Sequence, residues 1–284
     1  MKIVVTGAGG MLGSDLVAVG EQMGHEVVAM THDDLDVTDP ARVERLIVRE
    51  HPGAVVNCAG WTDVDGAEAN EREADLVNGQ GAGFVADAAA KARAKVVYLS
   101  SDYVFDGAKG APYVETDQPA PLSAYGRTKL AGEEATAVAN KRHFVVRSSW
   151  LFGIGGGNFV ETMLRLADDH GEVLVVRDQV GSPTYTWHLA YGILRLIEGG
   201  AFGIHHMAAE GSCSWYDFAR EIFYQAEIEC KVMSATTEML GRPAPRPSFS
   251  ALRSEREHAI RLPAWQDGLS AYLAQRSAEQ TVQA

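Results

Sequence analysis

Tyr125 and Lys129, in the run YGRTK, set a phenol and an ammonium four residues apart. If that run opens a helix, the two side chains share one face. A neighbouring cation favours phenolate, which suits the tyrosine to proton transfer near neutral pH. The same spacing also occurs as surface decoration, so a third group matters. Ser101 supplies it, directly after the apolar run Lys95 to Ser100 (KVVYLS). There its hydroxyl can bond the same substrate oxygen that Tyr125 protonates.

Such chemistry needs a partner held close, and Met1 to Gly13 (MKIVVTGAGGMLG) predicts one. Lys2 to Val5 reads as a buried strand, followed by a turn with Gly7, Gly10 and Gly13 three residues apart and then a helix. A pyrophosphate sits on a helix N-terminus only where the backbone turns tightly, approaches without a Cβ in the way, and lets the helix lie against its strand. Glycine meets all three conditions, and we read the loop as a GxxGxxG variant of the dinucleotide fingerprint.

The elements around these residues alternate. Apolar residues at helical spacing predict a helix from Met11 to Met23, stopped by Gly24, and His25 to Met30 follows as a strand. An acidic side chain at the end of this strand bonds a ribose 2′-hydroxyl, whereas a basic one accepts a 2′-phosphate. Thr31 and His32, then Asp33 and Asp34, leave NAD and NADP both open. Thr38 or Asp39 caps a helix with Pro40 at its first position, ended by Pro52 and Gly53. Ala54 to Asn57 is a third strand, Glu71 to Ala92 is largely helical, Lys95 to Ser100 is a fourth strand and His143 to Ser148 a fifth.

This alternation predicts an α/β fold with a Rossmann-type, doubly wound parallel sheet. Ligands gather at the carboxyl ends of such strands. The candidate loops are therefore Gly7 to Gly13, Asp36 and Val37, Ala59 to Asp65, Ser100 to Asp106, and Ser148 to Phe152. Beyond Trp150 the pattern turns irregular. Helices are expected at Asn158 to Asp169, Trp187 to Glu198 and Trp265 to Gln275, with strands at Glu172 to Val176 and Gly203 to Ala208. Ser214 and Asp217 stand at capping-box spacing. We assign residues 1–150, with about 184–199, to a dinucleotide-binding domain. Residues 151–183 and 200–284 form a smaller mixed α/β lobe over the ligand edge.

Composition narrows the partners. The chain has 284 residues, 46% hydrophobic and 22% charged, enough for one large α/β domain and a companion. A formal charge of −13, with no segment of clustered Lys and Arg, argues against nucleic acid. Cys58, Cys213 and Cys230 are scattered, which points to a reducing compartment and away from disulfides or zinc. No apolar run approaches the roughly 18 residues of a membrane span, and no signal-peptide pattern opens the chain. The expected location is the cytoplasm.

Together TGAGGMLG, SSDYVF, SAYGRTKLAGE, RSSWLFG and DQVGSPT resemble the extended short-chain dehydrogenase/reductases. More narrowly, DYVFDG, the stretch Trp61 to Glu68 (WTDVDGAE), DQVGSPT and RPSFSAL are similar to the dTDP-4-dehydrorhamnose reductase family. The resemblance covers nearly the whole chain; where the family often carries Thr, this chain has Ser101, which keeps the hydroxyl.

It implies that Gly10, Met11 and Leu12, in the Gly7 to Gly13 loop, meet the cofactor pyrophosphate. Asp36 and Val37 border the adenine, Gly60, Trp61 and Thr62 line the cofactor path, and Tyr125 and Lys129 contact the nicotinamide ribose. Ser101, Asp102 and Trp150 match contacts to a dTDP-sugar. Trp61 and Trp150 can equally be core aromatics, Asp102 a turn cap and Asp36 a helix cap. The implied chemistry is hydride transfer from NADPH or NADH to C4 of a 4-keto sugar, with Tyr125 protonating the oxygen, Lys129 keeping the phenol acidic and Ser101 polarising the carbonyl. Relatives of this kind include epimerases and dehydratases that regenerate their cofactor, and non-catalytic NADP-binding subunits. Some form homodimers with a magnesium ion, for which Asp15 is a possible ligand; one carboxylate does not establish a metal site.

Overall fold

The computed structural model describes residues 1–283. Apolar strands alternate with amphipathic helices: β1 (Lys2–Thr6), α1 (Met11–Gln22), β2 (Glu26–Met30), α2 (Pro40–Glu50), β3 (Ala54–Asn57), α3 (Val64–Ala69) and α4 (Glu71–Asp75). A π-helical turn (Leu76–Gly81) leads into α5 (Ala82–Lys91), β4 (Lys95–Ser101), α6 (Ala124–Ala139) and β5 (His143–Ser148). The sheet runs β2-β1-β3-β4-β5 and ends on the strand Gly203–His206, all parallel. Every residue of β3 is buried, as in a sheet covered on both faces.

One face packs α1 and α8 (Thr186–Gly199, after α7, Phe159–Asp169) against the sheet through Leu12, Leu16, Leu189 and Ile193. The other packs α2 and α5 through Val43, Ile47, Val85 and Ala89. The chain order reverses between β1 and β3, and the loops leaving these two strands are the first two sides of the site.

A second core unites α7, α9 (Trp215–Gln225) and, beyond the short α10 (Thr237–Leu240), α11 (Trp265–Gln283) around Phe152, Phe218, Ile222, Leu269 and Tyr272. Glu172–Val176 pairs in parallel with Lys231–Ala235 at its side. The loop DQVGSPT contributes two short strands, Val180–Gly181 and Thr184–Tyr185.

Three expectations change. Gly203–His206, assigned from sequence to the smaller lobe, is the sixth strand of the main sheet, because its backbone completes the open edge of β5. The stretch from Glu71 is helical but broken by the π turn, whose extra residue per turn places Asn78 inward. The last helix continues past Gln275 to Gln283.

Candidate active site

Tyr125 enters the site through the start of α6. Ser123 caps this helix, its Oγ accepting from Gly126 N at 3.1 Å, and Glu68 Oε1 accepts from Ala124 N at 2.7 Å. A Cβ on Gly126 would lie 2.2 Å from the Tyr103 carbonyl oxygen, so only glycine lets α6 come this close to the turn after β4. That approach sets Tyr125 edge-on to Tyr103, ring centres 5.7 Å apart, and brings its phenol to the Ser101 hydroxyl. Ser101, the last residue of β4, donates to Asp102 Oδ1 at 2.9 Å and accepts from Tyr103 N at 3.2 Å.

Burial pushes the Tyr125 phenol up to about 12; Ser101 works against this and the Asp102 charge adds to it. The phenol thus stays protonated at neutral pH, a donor rather than a base. The expected acidifying role of Lys129 is not what sets this value. Lys129 lies one turn on, its ammonium 4.5 Å from the centre of the Tyr98 ring, buried and pushed down to about 8 by desolvation, which the nearby Glu133 charge opposes. Glu133 is held in turn by Ser100, Arg147 Nε at 2.8 Å and Arg147 Nη2 at 2.6 Å. One carboxylate therefore fastens α6 to β4 and β5 directly beneath the candidate site.

The cofactor side is built from backbone. A Cβ on Gly13 would fall 2.2 Å from Gly7 O, and Gly7 itself turns with φ +66° against the backbone of Cys58 and Ala59. A Cβ on Gly10 would meet nothing nearer than 3.5 Å, so this glycine leaves room above the turn rather than filling a protein contact. No side chain caps α1 and no acid stands in its first turn, so the N–H groups of Met11 and Leu12 are left for an anion. This is a cradle fit for a dinucleotide pyrophosphate. Next to it, the Cβ position of Gly60 lies 3.8 Å from Lys129 Nζ. Asn78 ties the neighbouring loop to α6: Oδ1 accepts from Trp61 N at 2.9 Å, and Nδ2 donates to Trp61 O and to Thr128 Oγ1.

The remaining sequence candidates divide. Trp61 is half-buried beside Tyr125 against Ala67, Ala74 and Ala124, and Thr62 is exposed. Val37 packs in the core with α2 and α5, while Asp36 accepts from Thr38 N and Oγ1 in a turn before α2, whose cap is Asp39 rather than Asp36. Asp102 is 2% exposed and accepts from Ser250 Oγ at 2.5 Å and from Ser101, so it positions Ser101 rather than opening to a ligand; burial pushes it up to about 6. Trp150, with φ +49°, stacks on Trp215 at 3.5 Å between ring centres and lies on Gly181.

Beside these aromatics opens a cavity of about 490 Å³ whose lining includes Tyr103, Gln179, Trp215, Thr237, Arg242 and Arg246. Its two guanidiniums share the single Asp65 carboxylate, and the excess positive charge, in a chain of net charge −13, suits an anionic, partly apolar ligand. Residue types alone did not single out Arg242, Arg246, Glu133 or Asn78. The arginines stand in the proline-rich run whose end, RPSFSAL, carried the resemblance. Among the described residues no three His, Cys, Asp or Glu side chains group as metal ligands. Asp15 is buried with Oδ2 unpartnered, and burial, with the Glu279 charge adding to it, pushes it up to about 6.

A glycine cradle at the β1/β3 switch point, facing a serine, a tyrosine and a lysine from β4 and α6, defines the extended short-chain dehydrogenase/reductase class of oxidoreductases. Residues 1–278 match the family described as RmlD substrate binding domain, and the chain belongs to that family. It is 43% identical over 284 residues to the dTDP-4-dehydrorhamnose reductase of Mycobacterium tuberculosis, covering 96% of this chain and 92% of that one. It is 45% identical over 221 residues to the dTDP-4-keto-6-deoxy-D-glucose reductase of Streptomyces niveus, covering 78% and 77%. The crystal structure of dTDP-4-dehydrorhamnose reductase from Bacillus anthracis in complex with NADP superposes with a TM-score of 0.94 at 36% identity, covering 96% of this chain and 99% of that one.

Proposed function

We propose that this protein reduces the 4-keto group of dTDP-4-dehydro-β-L-rhamnose to give dTDP-β-L-rhamnose, using NADPH or NADH. The observation that carries the reading is the meeting of Ser101 and Tyr125, with Lys129 one turn on beside the loop that adjoins the glycine cradle. The bound reduced nicotinamide supplies a hydride to C4. Tyr125 gives its phenolic proton to the ketone oxygen, and solvent returns one to the phenolate. Ser101, whose one hydroxyl proton lies on Asp102 Oδ1 before substrate enters, turns that proton to the same oxygen. Lys129 holds the nicotinamide ribose and brings positive charge to a buried site. The cavity beside Trp215 takes the nucleotide, with Arg242 and Arg246 toward its diphosphate.

In this reading residues 1–150 with 184–199 hold the cofactor, joined by the strand to His206, and the rest holds the sugar nucleotide. The expected assembly is a homodimer working in the cytoplasm, which sedimentation and fractionation check. Among the described residues no helix is long and apolar enough to cross a membrane.

The deciding experiment incubates the protein with dTDP-4-keto-6-deoxy-L-mannose and each reduced nicotinamide, follows the loss of nicotinamide absorbance and identifies the product. One reduced nicotinamide consumed per sugar is expected, whereas an epimerase or dehydratase consumes none. The Streptomyces relative favours a second reading, in which the 4-keto-6-deoxy-D-glucose nucleotide is the better substrate. Running both sugars side by side separates the two.

A further inference from the structure

The motif WTDVDGAE has three acidic residues, none of which reaches the reacting groups. Each is spent on a join. Asp63 caps α3 through Gly66 N at 2.9 Å, and Glu68 caps α6 through Ala124 N. Asp65 reaches across to the far lobe, its Oδ1 accepting from Ala244 N at 3.0 Å and its Oδ2 from Arg246 Nη2 at 2.9 Å. Some 180 residues separate these partners in the chain. Arg246 is 10% exposed at its side chain, borders Tyr103 and forms part of the cavity wall.

The same short segment touches the cofactor side. Gly60 adjoins Lys129 Nζ, and Trp61 is pinned by Asn78 at its backbone and by Asp63 O at its indole Nε1, 2.9 Å. From Gly60 to Asp65 the chain is therefore a stiff lever, with the cofactor path at one end and a cavity arginine at the other. Ordering one end restricts the other, and such coupling acts equally in both directions.

We propose that Asp65 is a positioning residue that couples the two binding events: cofactor on the Gly60–Thr62 loop preorganises Arg246 for the diphosphate of the sugar nucleotide. This rests on the assignment of the cavity to the nucleotide made above. Without cofactor the guanidinium is held less firmly and dTDP binds more weakly. The net effect is an order of binding, nicotinamide first, enforced through the Asp65 carboxylate, which also pairs with Arg242 at 3.7 Å.

The test is calorimetric titration of the full chain with dTDP, alone and with saturating NADP+. The wild type is expected to bind dTDP about 5- to 10-fold more tightly with NADP+ present, within the usual range of coupling between sites. Asp65→Asn keeps the acceptor for Ala244 N and loses the charge. Its ratio should fall to within about twofold of one, with NADP+ affinity in the absence of dTDP unchanged. Arg246→Gln removes the charge from the other side, weakens dTDP binding in both conditions and should lose the ratio as well, which keeps the test open if Asp65→Asn does not fold. A wild-type ratio of one, or a wild-type ratio retained in either variant, overturns the coupling alone. Failure of wild-type protein to bind dTDP in both conditions overturns the cavity assignment together with it.

Discussion

Glu133 and Arg147 face each other in the interior, 5% and 2% exposed at their side chains, with Nη2 2.6 Å from Oε2. The pair lies one helical turn beyond Lys129, and Ser100, next to Ser101 in chain, completes it. Removing one partner of such a pair leaves a buried charge uncompensated, at a cost of about 3–5 kcal/mol. Glu133→Ala should therefore lower the melting temperature by about 10 °C. The double variant Glu133→Leu/Arg147→Met should regain most of that loss, while reductase activity stays low because α6 has lost its tie to β4. Scanning calorimetry and initial rates read the two effects separately.

Tyr125→Phe removes the proton donor and leaves the ring. Turnover should fall about 10³-fold while nucleotide affinity, measured by NADP+ titration, changes little. Ser101→Ala should cost about 10- to 100-fold in kcat. Full activity in either variant would remove that residue from the reaction.

Ionisation of Lys129 should appear in the pH profile. With its ammonium pushed down to about 8, kcat/KM for reduction should be level below neutrality and decline as pH rises past 8. Burying this cation also costs stability. The folded value lies below the unfolded 10.5, so the cost is full below about pH 8 and is relieved between 8 and 10.5. Lys129→Met should accordingly melt above the wild type at pH 7, with an advantage that shrinks toward pH 10.5, although it is inactive. Paired melting curves across that window check the sign.

Two glycines of one loop should fail differently. Gly13→Ala places its methyl 2.2 Å from Gly7 O and should lower the melting temperature of the protein without any ligand. Gly10→Ala meets nothing nearer than 3.5 Å, so it should melt within about 2 °C of the wild type yet bind NADPH about tenfold more weakly or worse.

Local chemistry in the sequence already determined much of this. Alternating strands and helices specified the doubly wound sheet, and helix caps at Asp39, one of two candidates, and at Ser214 fell where side-chain type and spacing placed them. Gly7 to Gly13, Ser101 and Tyr125 stood out because each sits at an element boundary whose local demands are visible in a few residues, and Lys129 because it follows Tyr125 by one helical turn. Periodicity is a short-range signal, which is why it hid the π turn at Leu76–Gly81 and, although it marked a strand from Gly203, did not place that strand in the main sheet. The first depends on what Asn78 must reach, the second on an open edge elsewhere in the sheet.

Tertiary structure alone decided which groups act on one another. Burial raises the Tyr125 phenol and Ser101 opposes it, and Asp102 turns inward to Ser250. The fold also joined Asp65 to Arg246 and Glu133 to Arg147. The physical reason is that desolvation and ion pairing depend on distances between residues far apart in the chain. A sequence fixes such distances only through the packing of the whole fold.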